Sequence, residues 1–312
     1  MKKRIGILLL VASLILFCIV MMIISLNIDR AKPAMSSQVS DVVAATPLLH
    51  PTTEPVPTPA MFDYKLVAHA LGGIDGYTYL NSKEGFEDSY QRGMYFIETD
   101  LFFSEDGELI CSHGFKEADV ERMGIEELQV GNAPDFNMWN GMRFYDRYTT
   151  QDADDILYYM ETYPELYFEF DMRSLNGEDA YRMARAVLDK FGKNRELFER
   201  ILIQVYSEEM YECFKDVYDF PVMQFYMTKA FCKEIDTYIE FCKTHDIASI
   251  AVSDSYVTKE ILEKLLNSGI KIMVHTVDDA EKAEEYLQKG VTVICTNHLY
   301  TDAEGKIKSK LD

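Results

Sequence analysis

Several residues in this chain have types and spacings that could do chemistry together. Glu98 and Asp100 lie two apart in "YFIETDLFF", and Glu169, Asp171 and Arg173 alternate in the same way in "LYFEFDMR". A two-residue spacing puts side chains on one face of a strand. The apolar neighbours argue against full exposure, and an interior carboxylate is costly unless it is paired or binds a metal. Glu98, Asp100 and Asp171 together would make an all-oxygen site for a hard divalent cation, Mg2+ or Ca2+. Glu169 is the alternative to Asp171 as the third ligand. His69 ends one apolar run and His113 ends another, "ELICSH". Flanking such a cation, the two could exchange general base and general acid roles. Gln204 and His275 also sit on apolar runs, either as pocket wall or as hydrogen-bonded core.

These groups need strands that end together. Eight short apolar runs start at Tyr64, Tyr95, Leu166, Ile201, Pro221, Ala248, Lys271 and Val291. Amphipathic segments such as "GEDAYRMARAVLDKFG" and "VTKEILEKLLNSG" separate most of them, and Gly93, Gly192, Gly269 and Gly290 fall where helix C-termini are expected. This alternation implies an α/β fold with a parallel sheet. Eight repeats over roughly 250 residues favour a closed (β/α)8 TIM barrel, in which polar groups at the C-terminal strand ends build the active site. Asn81 reads as the N-cap of the first helix, near that face. "ELICSH", after the turn "SEDG", is expected to form a hairpin above the second strand. The aromatic run Phe136 to Tyr148 is expected to pack over the barrel mouth, with a lid or a lipid-facing loop as the alternatives.

The chain has 312 residues, of which 48% are hydrophobic and 27% charged, so a folded body is expected. The 31 Lys and Arg against 52 Asp and Glu give a formal charge of -21. That excludes a general nucleic-acid binder, which needs a basic surface, and means an anionic substrate needs a local cation. Six scattered cysteines without a CxxC pair argue against a zinc cluster or a disulfide framework. No GxGxxG or Walker sequence follows a strand. Three basic residues precede an apolar stretch from Ile5 to Ile28, long enough for a ~30 Å hydrocarbon core. Residues 1–30 are therefore expected to be a basic cytoplasmic N-terminus and a transmembrane signal anchor, with a cleaved signal as the alternative. Residues 31–60, with "HPTTEPVPTPA", read as an extended linker, and residues 61–312 as the barrel. The expected location is the cell membrane, single-pass, with the barrel outside.

The segments "HALGG" and "NSKEGFEDSYQRGMYFIETDLFFSEDGELICSHG" resemble the opening of the glycerophosphodiester phosphodiesterase family, part of the barrel superfamily that includes the phosphatidylinositol-specific phospholipases C. The match is dense from His69 to His113 and thinner through "FEFDMR", "ILIQVY", "VHTVDD" and "GVTVICTNHL". The resemblance implies His69 and His113 as the catalytic histidines and Glu98, Asp100 and Asp171 as metal ligands. It implies Arg173 in place of a lysine, Asn81 and Ser82 in place of the Asn-Thr near the site, and His275 where tryptophan is usual. With Gln204, the residues Asn81, Arg173 and His275 are the expected substrate-binding set. The sequence departs from the family pattern at Ala70, where arginine is usual, at Leu80 in place of glutamate, and at Gly114 in place of aspartate.

The resemblance thus implies a metal-dependent phosphodiester hydrolase of lipid metabolism, acting on glycerophosphodiesters or related polyol phosphodiesters. It would release glycerol 3-phosphate and an alcohol by His/His general acid-base catalysis. The nucleophile would be water or a neighbouring substrate hydroxyl, the latter giving a cyclic phosphate first. The alternative, favoured by the loss of arginine and glutamate, is a catalytically impaired, surface-tethered barrel that binds polyol phosphates or a protein partner.

Overall fold

The computed structural model describes residues 60–311 apart from Ser174. The expected membrane-spanning segment and the linker up to residue 59 lie outside the described residues. Among the described residues no helix is long and apolar enough to cross a membrane.

All eight expected runs form strands, and these pair in parallel and close on themselves. They are β1 (Leu66–Ala68), β2 (Phe96–Phe103), β6 (Tyr167–Asp171), β7 (Ile201–Val205), β8 (Met223–Met227), β9 (Ser249–Ser253), β10 (Lys271–His275) and β11 (Val293–Thr296). Neighbours run β1-β11-β10-β9-β8-β7-β6-β2, and β1 pairs back onto β2, which makes a barrel. The expected hairpin is present: β3 (Leu109–Cys111) lies antiparallel to the end of β2, with Leu101 opposite Cys111. The ribbon of β4 (Arg143–Phe144) and β5 (Tyr148–Thr149) stands apart from the barrel sheet, as does the C-terminal pair β12 (Leu299–Thr301) and β13 (Ile307–Ser309).

Alternation along the strands divides the core in two. Ile97, Phe168, Phe170, Ile203, Phe225, Ile250, Ile272 and Ile294 face outward into one large apolar cluster with the helices. Those helices include α1 (Lys83–Gln91), α4 (Ala153–Thr162), α5 (Gly177–Phe191), α6 (Glu208–Val217), α7 (Ile235–Thr244), α8 (Lys259–Asn267) and α9 (Ala280–Lys289). The opposite face of the same strands fills the barrel. Its lower part is apolar: Phe96, Leu202, Val222, Ala251, Met273 and Val293 pack with Met61 and Phe62 from the turn that precedes β1. Higher up the interior turns polar, with Glu98 beside Glu169, Gln204 beside Gln224, and Gln224 beside Ser249. Asp100 and Asp171 are register partners at the top.

Two helix ends clarify the local rules. Ser82, not Asn81, caps α1, its hydroxyl accepting from the Gly85 N–H at 3.1 Å. Asn81 holds a left-handed φ of 51°, a conformation asparagine tolerates better than most residues. Gly290 ends α9 in the left-handed region, φ 105°, as the sequence pattern requires.

Between β3 and α4 the chain leaves the barrel repeat to form α2 (Glu117–Met123), α3 (Phe136–Gly141) and the β4–β5 ribbon. The aromatic run Phe136 to Tyr148 belongs to this insertion. Trp139, Phe144 and Tyr148 are buried in a third apolar cluster with Leu80, Ile110, Phe115 and Met123. The Trp139 indole N–H donates to the Gln151 carbonyl at 2.8 Å. Leu80, where the family resemblance expects glutamate, is therefore a packing residue under the insertion.

Candidate active site

The C-terminal ends of β1, β2, β6, β7, β8 and β10 surround a cavity of about 160 Å³, lined among others by His69, Glu98, His113, Asp171, Gln204 and His275. Of the site residues expected from sequence, all but Asp100, Asn81 and Arg173 line it directly, and those three adjoin it.

Its acidic side is built on β2 and β6. One carboxylate oxygen each from Glu98, Asp100 and Asp171 lie within 4.8 Å of one another. Their other contacts hold them in place. Glu98 Oε2 accepts from the Ala70 N–H, while Glu98 Oε1 is buried with no hydrogen-bond partner among the described residues. Asp100 Oδ2 accepts from the Asn81 amide at 2.8 Å, and Asn81 Oδ1 in turn accepts from the Asp100 N–H at 3.1 Å. Asp171 accepts from the Arg173 N–H at 2.8 Å and from the Tyr206 hydroxyl at 2.7 Å. Burial, and then the neighbouring Asp100, Asp171 and Glu169, push the Glu98 carboxyl well above the usual range. Burial also raises Asp100, against the pull of His113. Three crowded carboxylates and an orphaned Glu98 oxygen are what a divalent cation would satisfy, so the residues fit an oxygen-liganded ion.

Glu169, the alternative third ligand, points lower in the barrel. It accepts from the Gln224 amide, which also donates to Gln204 at 3.0 Å. Burial pushes its carboxyl well above the ordinary range too. Asp171, next to Asp100 and at the rim, belongs to the triad.

The histidines face this triad from two loops. His69 opens the turn after β1, and its Nε2 lies 4.0 Å from Glu98 Oε2. Ala70 and Leu71 follow with φ of 50° and 63°, costly angles for residues with a Cβ, and this turn is what aims the Ala70 N–H at Glu98. His113 follows β3, and its Nδ1 lies 2.7 Å from Asp119 Oδ1. Arg173 Nη2 lies 2.7 Å from His113 Nε2. The Tyr79 ring stands between the histidines, edge-on to both, with centroids 4.4 Å from His69 and 5.1 Å from His113. His275 lines the far wall beside Tyr226, with its Nε2 buried and without a hydrogen-bond partner among the described residues. Burial lowers it to about 3, so it is neutral.

Asn81 is fully buried against Asp100, which makes it a support for a carboxylate; it does not line the cavity. Gln204 does line it, bonded to Tyr206 at 3.1 Å. Several supporting residues escaped the sequence reading. Asn297 Oδ1 meets His69 Nδ1 at 2.8 Å, and the Asn297 amide donates to Asp278 at 2.7 Å. Asp119, Tyr79 and Tyr206 complete the set. Only "TNHL" at the end of β11 hinted at Asn297. His298, in the loop after β11, is buried beneath Gly73. A Cβ on Gly73 would lie 2.4 Å from the His298 ring, so the loop after His69 can approach only as glycine. Among the described residues the five cysteines are unpaired; Cys111, Cys242 and Cys295 are buried, Cys213 and Cys232 half-buried.

A parallel eight-stranded barrel with a carboxylate triad and two histidines at its C-terminal face defines a TIM-barrel enzyme. The model of the "Glycerophosphoryl diester phosphodiesterase family" matches residues 73–301. The chain belongs to that family and is a phosphodiester hydrolase. Solved structures share the fold at low identity. A chain from Galdieria sulphuraria is 19% identical, with TM-score 0.61, covering 75% of this chain and 93% of its own. A phosphodiesterase from Oleispira antarctica, solved in complex with the product sn-glycerol-3-phosphate, is 13% identical, with TM-score 0.61 and the same coverage. A glycerophosphodiester phosphodiesterase from Agrobacterium tumefaciens is 17% identical, with TM-score 0.55, covering 75% of this chain and 96% of its own. None of the curated proteins compared matches the chain.

Proposed function

We propose that this protein hydrolyses glycerophosphodiesters or related polyol phosphodiesters, releasing glycerol 3-phosphate and an alcohol, with a divalent cation held by Glu98, Asp100 and Asp171. The observation that carries this reading is the orphaned Glu98 oxygen within a triad whose ligand atoms lie within 4.8 Å. Bound there, Mg2+ or Ca2+ would supply Lewis-acid stabilisation of phosphate charge. The Oleispira enzyme's product complex supports the glycerol phosphate part of the substrate.

The chain's own groups divide the proton work. Asn297 gives its amide to Asp278, so its Oδ1 is an acceptor and His69 Nδ1 carries a proton. His69 Nε2 is then a lone pair facing the cavity, ready to take a proton from water or from a substrate hydroxyl. The Asp119 carboxylate, 2.7 Å from His113 Nδ1, fixes the orientation of that ring. His113 is the general acid toward the leaving alkoxide. Arg173, against His113 in the free protein, is the cation an entering phosphate competes for. Gln204 and His275 shape the far wall and bind the glycerol.

The decisive experiment is a panel of phosphodiesters incubated with and without a chelator. Chelator-sensitive release of glycerol 3-phosphate supports the reading; no turnover with any cation defeats it. Among the described residues no arginine or lysine lines the cavity wall itself, Arg173 standing behind His113, and this favours a second reading, a barrel that binds polyol phosphates without turnover. Tight phosphate binding without release would establish that reading. The apolar run before the linker motivates a further part of the proposal: the protein is a single-pass membrane protein with its barrel outside. Protease added to intact cells should remove the barrel, and protection would refute that topology.

A further inference from the structure

The cavity's volume of about 160 Å³ is well under the ~300 Å³ at which small-molecule pockets usually begin. It can seat a phosphate and part of a glycerol. The alcohol esterified to that phosphate has to extend across the rim, so rim residues meet it.

Two guanidiniums stand at that rim. Arg173 follows β6 and touches His113. Arg122 comes from α2, outside the barrel repeat, and lies over the Tyr79 ring, 4.3 Å from its centroid. Tyr79 is the wall between the two histidines. Both guanidiniums are near a single carboxylate, Asp119, at 3.6 Å for Arg122 and 3.9 Å for Arg173. One carboxylate cannot pair fully with two arginines, so guanidinium hydrogen-bond donors are left at the rim for an anionic group, above an acidic floor. Both side chains are partly exposed, 34% for Arg122 and 27% for Arg173. At the turn after β1 the barrel offers only Ala70.

We infer that Arg122 is a specificity-determining residue and that, with Arg173, it selects diesters whose alcohol carries its own negative charge. A phosphorylated polyol is the class of alcohol that fits, and a cationic alcohol such as choline is disfavoured. The inference rests on the phosphodiesterase reading of the site. A hydrogen bond to a charged group contributes enough that its loss costs about tenfold or more in affinity.

The test uses the full chain with Mg2+ and two substrates, glycerophosphoinositol phosphate and glycerophosphocholine. The wild type should show the higher kcat/KM on the inositol phosphate diester. Arg122→Ala should lower that value about tenfold and leave glycerophosphocholine within about twofold. Arg122→Lys should retain part of the preference. An unchanged ratio in Arg122→Ala, or an equal fall for both substrates, overturns the inference. If neither diester turns over, the phosphodiesterase reading is decided separately by the wider panel of diesters and cations. Calorimetric titration of the same two diesters then still decides: selective weakening of the anionic one in Arg122→Ala supports the role, and equal affinities refute it.

Discussion

Asn297 Oδ1 lies 2.8 Å from Nδ1 of His69, across 228 residues of sequence. The contact joins the last barrel strand to the first and sets the histidine's tautomer, because Asp278 occupies the Asn297 amide. Asn297→Ala should therefore lower kcat by roughly ten- to a hundredfold, a part of the 10²–10⁴ that a placed base contributes. KM should change little, since the Asn297 side chain is turned to His69 and Asp278. Steady-state kinetics on a glycerophosphodiester checks this. An unchanged kcat would show that His69 needs no such support.

Asn81 and Asp100 make a second relationship of this kind. Asn81 is an outer partner of a proposed metal ligand, and such partners typically contribute 10–100-fold in metal affinity. Asn81→Ala should weaken calorimetric Mg2+ or Ca2+ binding by about that factor. If cation affinity holds and only KM rises, Asn81 contacts substrate, as its place in the family pattern implied.

Glu98 is a buried carboxylate with one oxygen unpartnered. In the chelated protein its charge is a liability, and Glu98→Gln should raise the melting temperature. Cation at about a hundred times its Kd should stabilise the wild type by about 2.7 kcal/mol. The same addition should do little for Glu98→Gln. Equal stabilisation of both would remove Glu98 from the ligand set.

His275 is held neutral, lowered to about 3 by burial. Its folded value lies below the ordinary histidine value, so below about pH 6.5 the unfolded chain binds a proton that the native chain refuses. The neutral ring's contribution is present above that pH and is lost as pH falls toward the folded value. Wild type should lose about 1 kcal/mol more per pH unit than His275→Asn between roughly pH 6 and pH 4. Denaturant unfolding at several pH values measures this. Parallel curves would mean that the ring protonates freely in the fold.

Much of this architecture was legible because its causes are local. Apolar runs bounded by turn residues became the eight strands, and the two-residue spacings of Glu98 with Asp100 and of Glu169 with Asp171 placed these carboxylates on the inner face. Asp119 and Asn297 were not legible. They reach the histidines through the insertion and through barrel closure, contacts that no spacing rule records. Asn81 looked like a helix cap because asparagine suits both a cap and a left-handed turn; the neighbouring Ser82 took the cap. Glu169 and Asp171 share a face, and only the barrel's depth separates the one bonded to Gln224 from the one at the rim.

The central claim is that His69 and His113 work as an acid-base pair beside a cation held by the triad. Its most direct test measures glycerol 3-phosphate release from a glycerophosphodiester by wild type, His69→Asn and His113→Asn, each with Mg2+ or Ca2+ and with chelator. Either substitution should lower the rate about 10²–10⁴-fold, and chelator should abolish the wild-type rate. Both variants should keep wild-type cation affinity, since neither histidine is a proposed ligand. Near-wild-type rates in either variant, or turnover that survives chelation, would contradict the account.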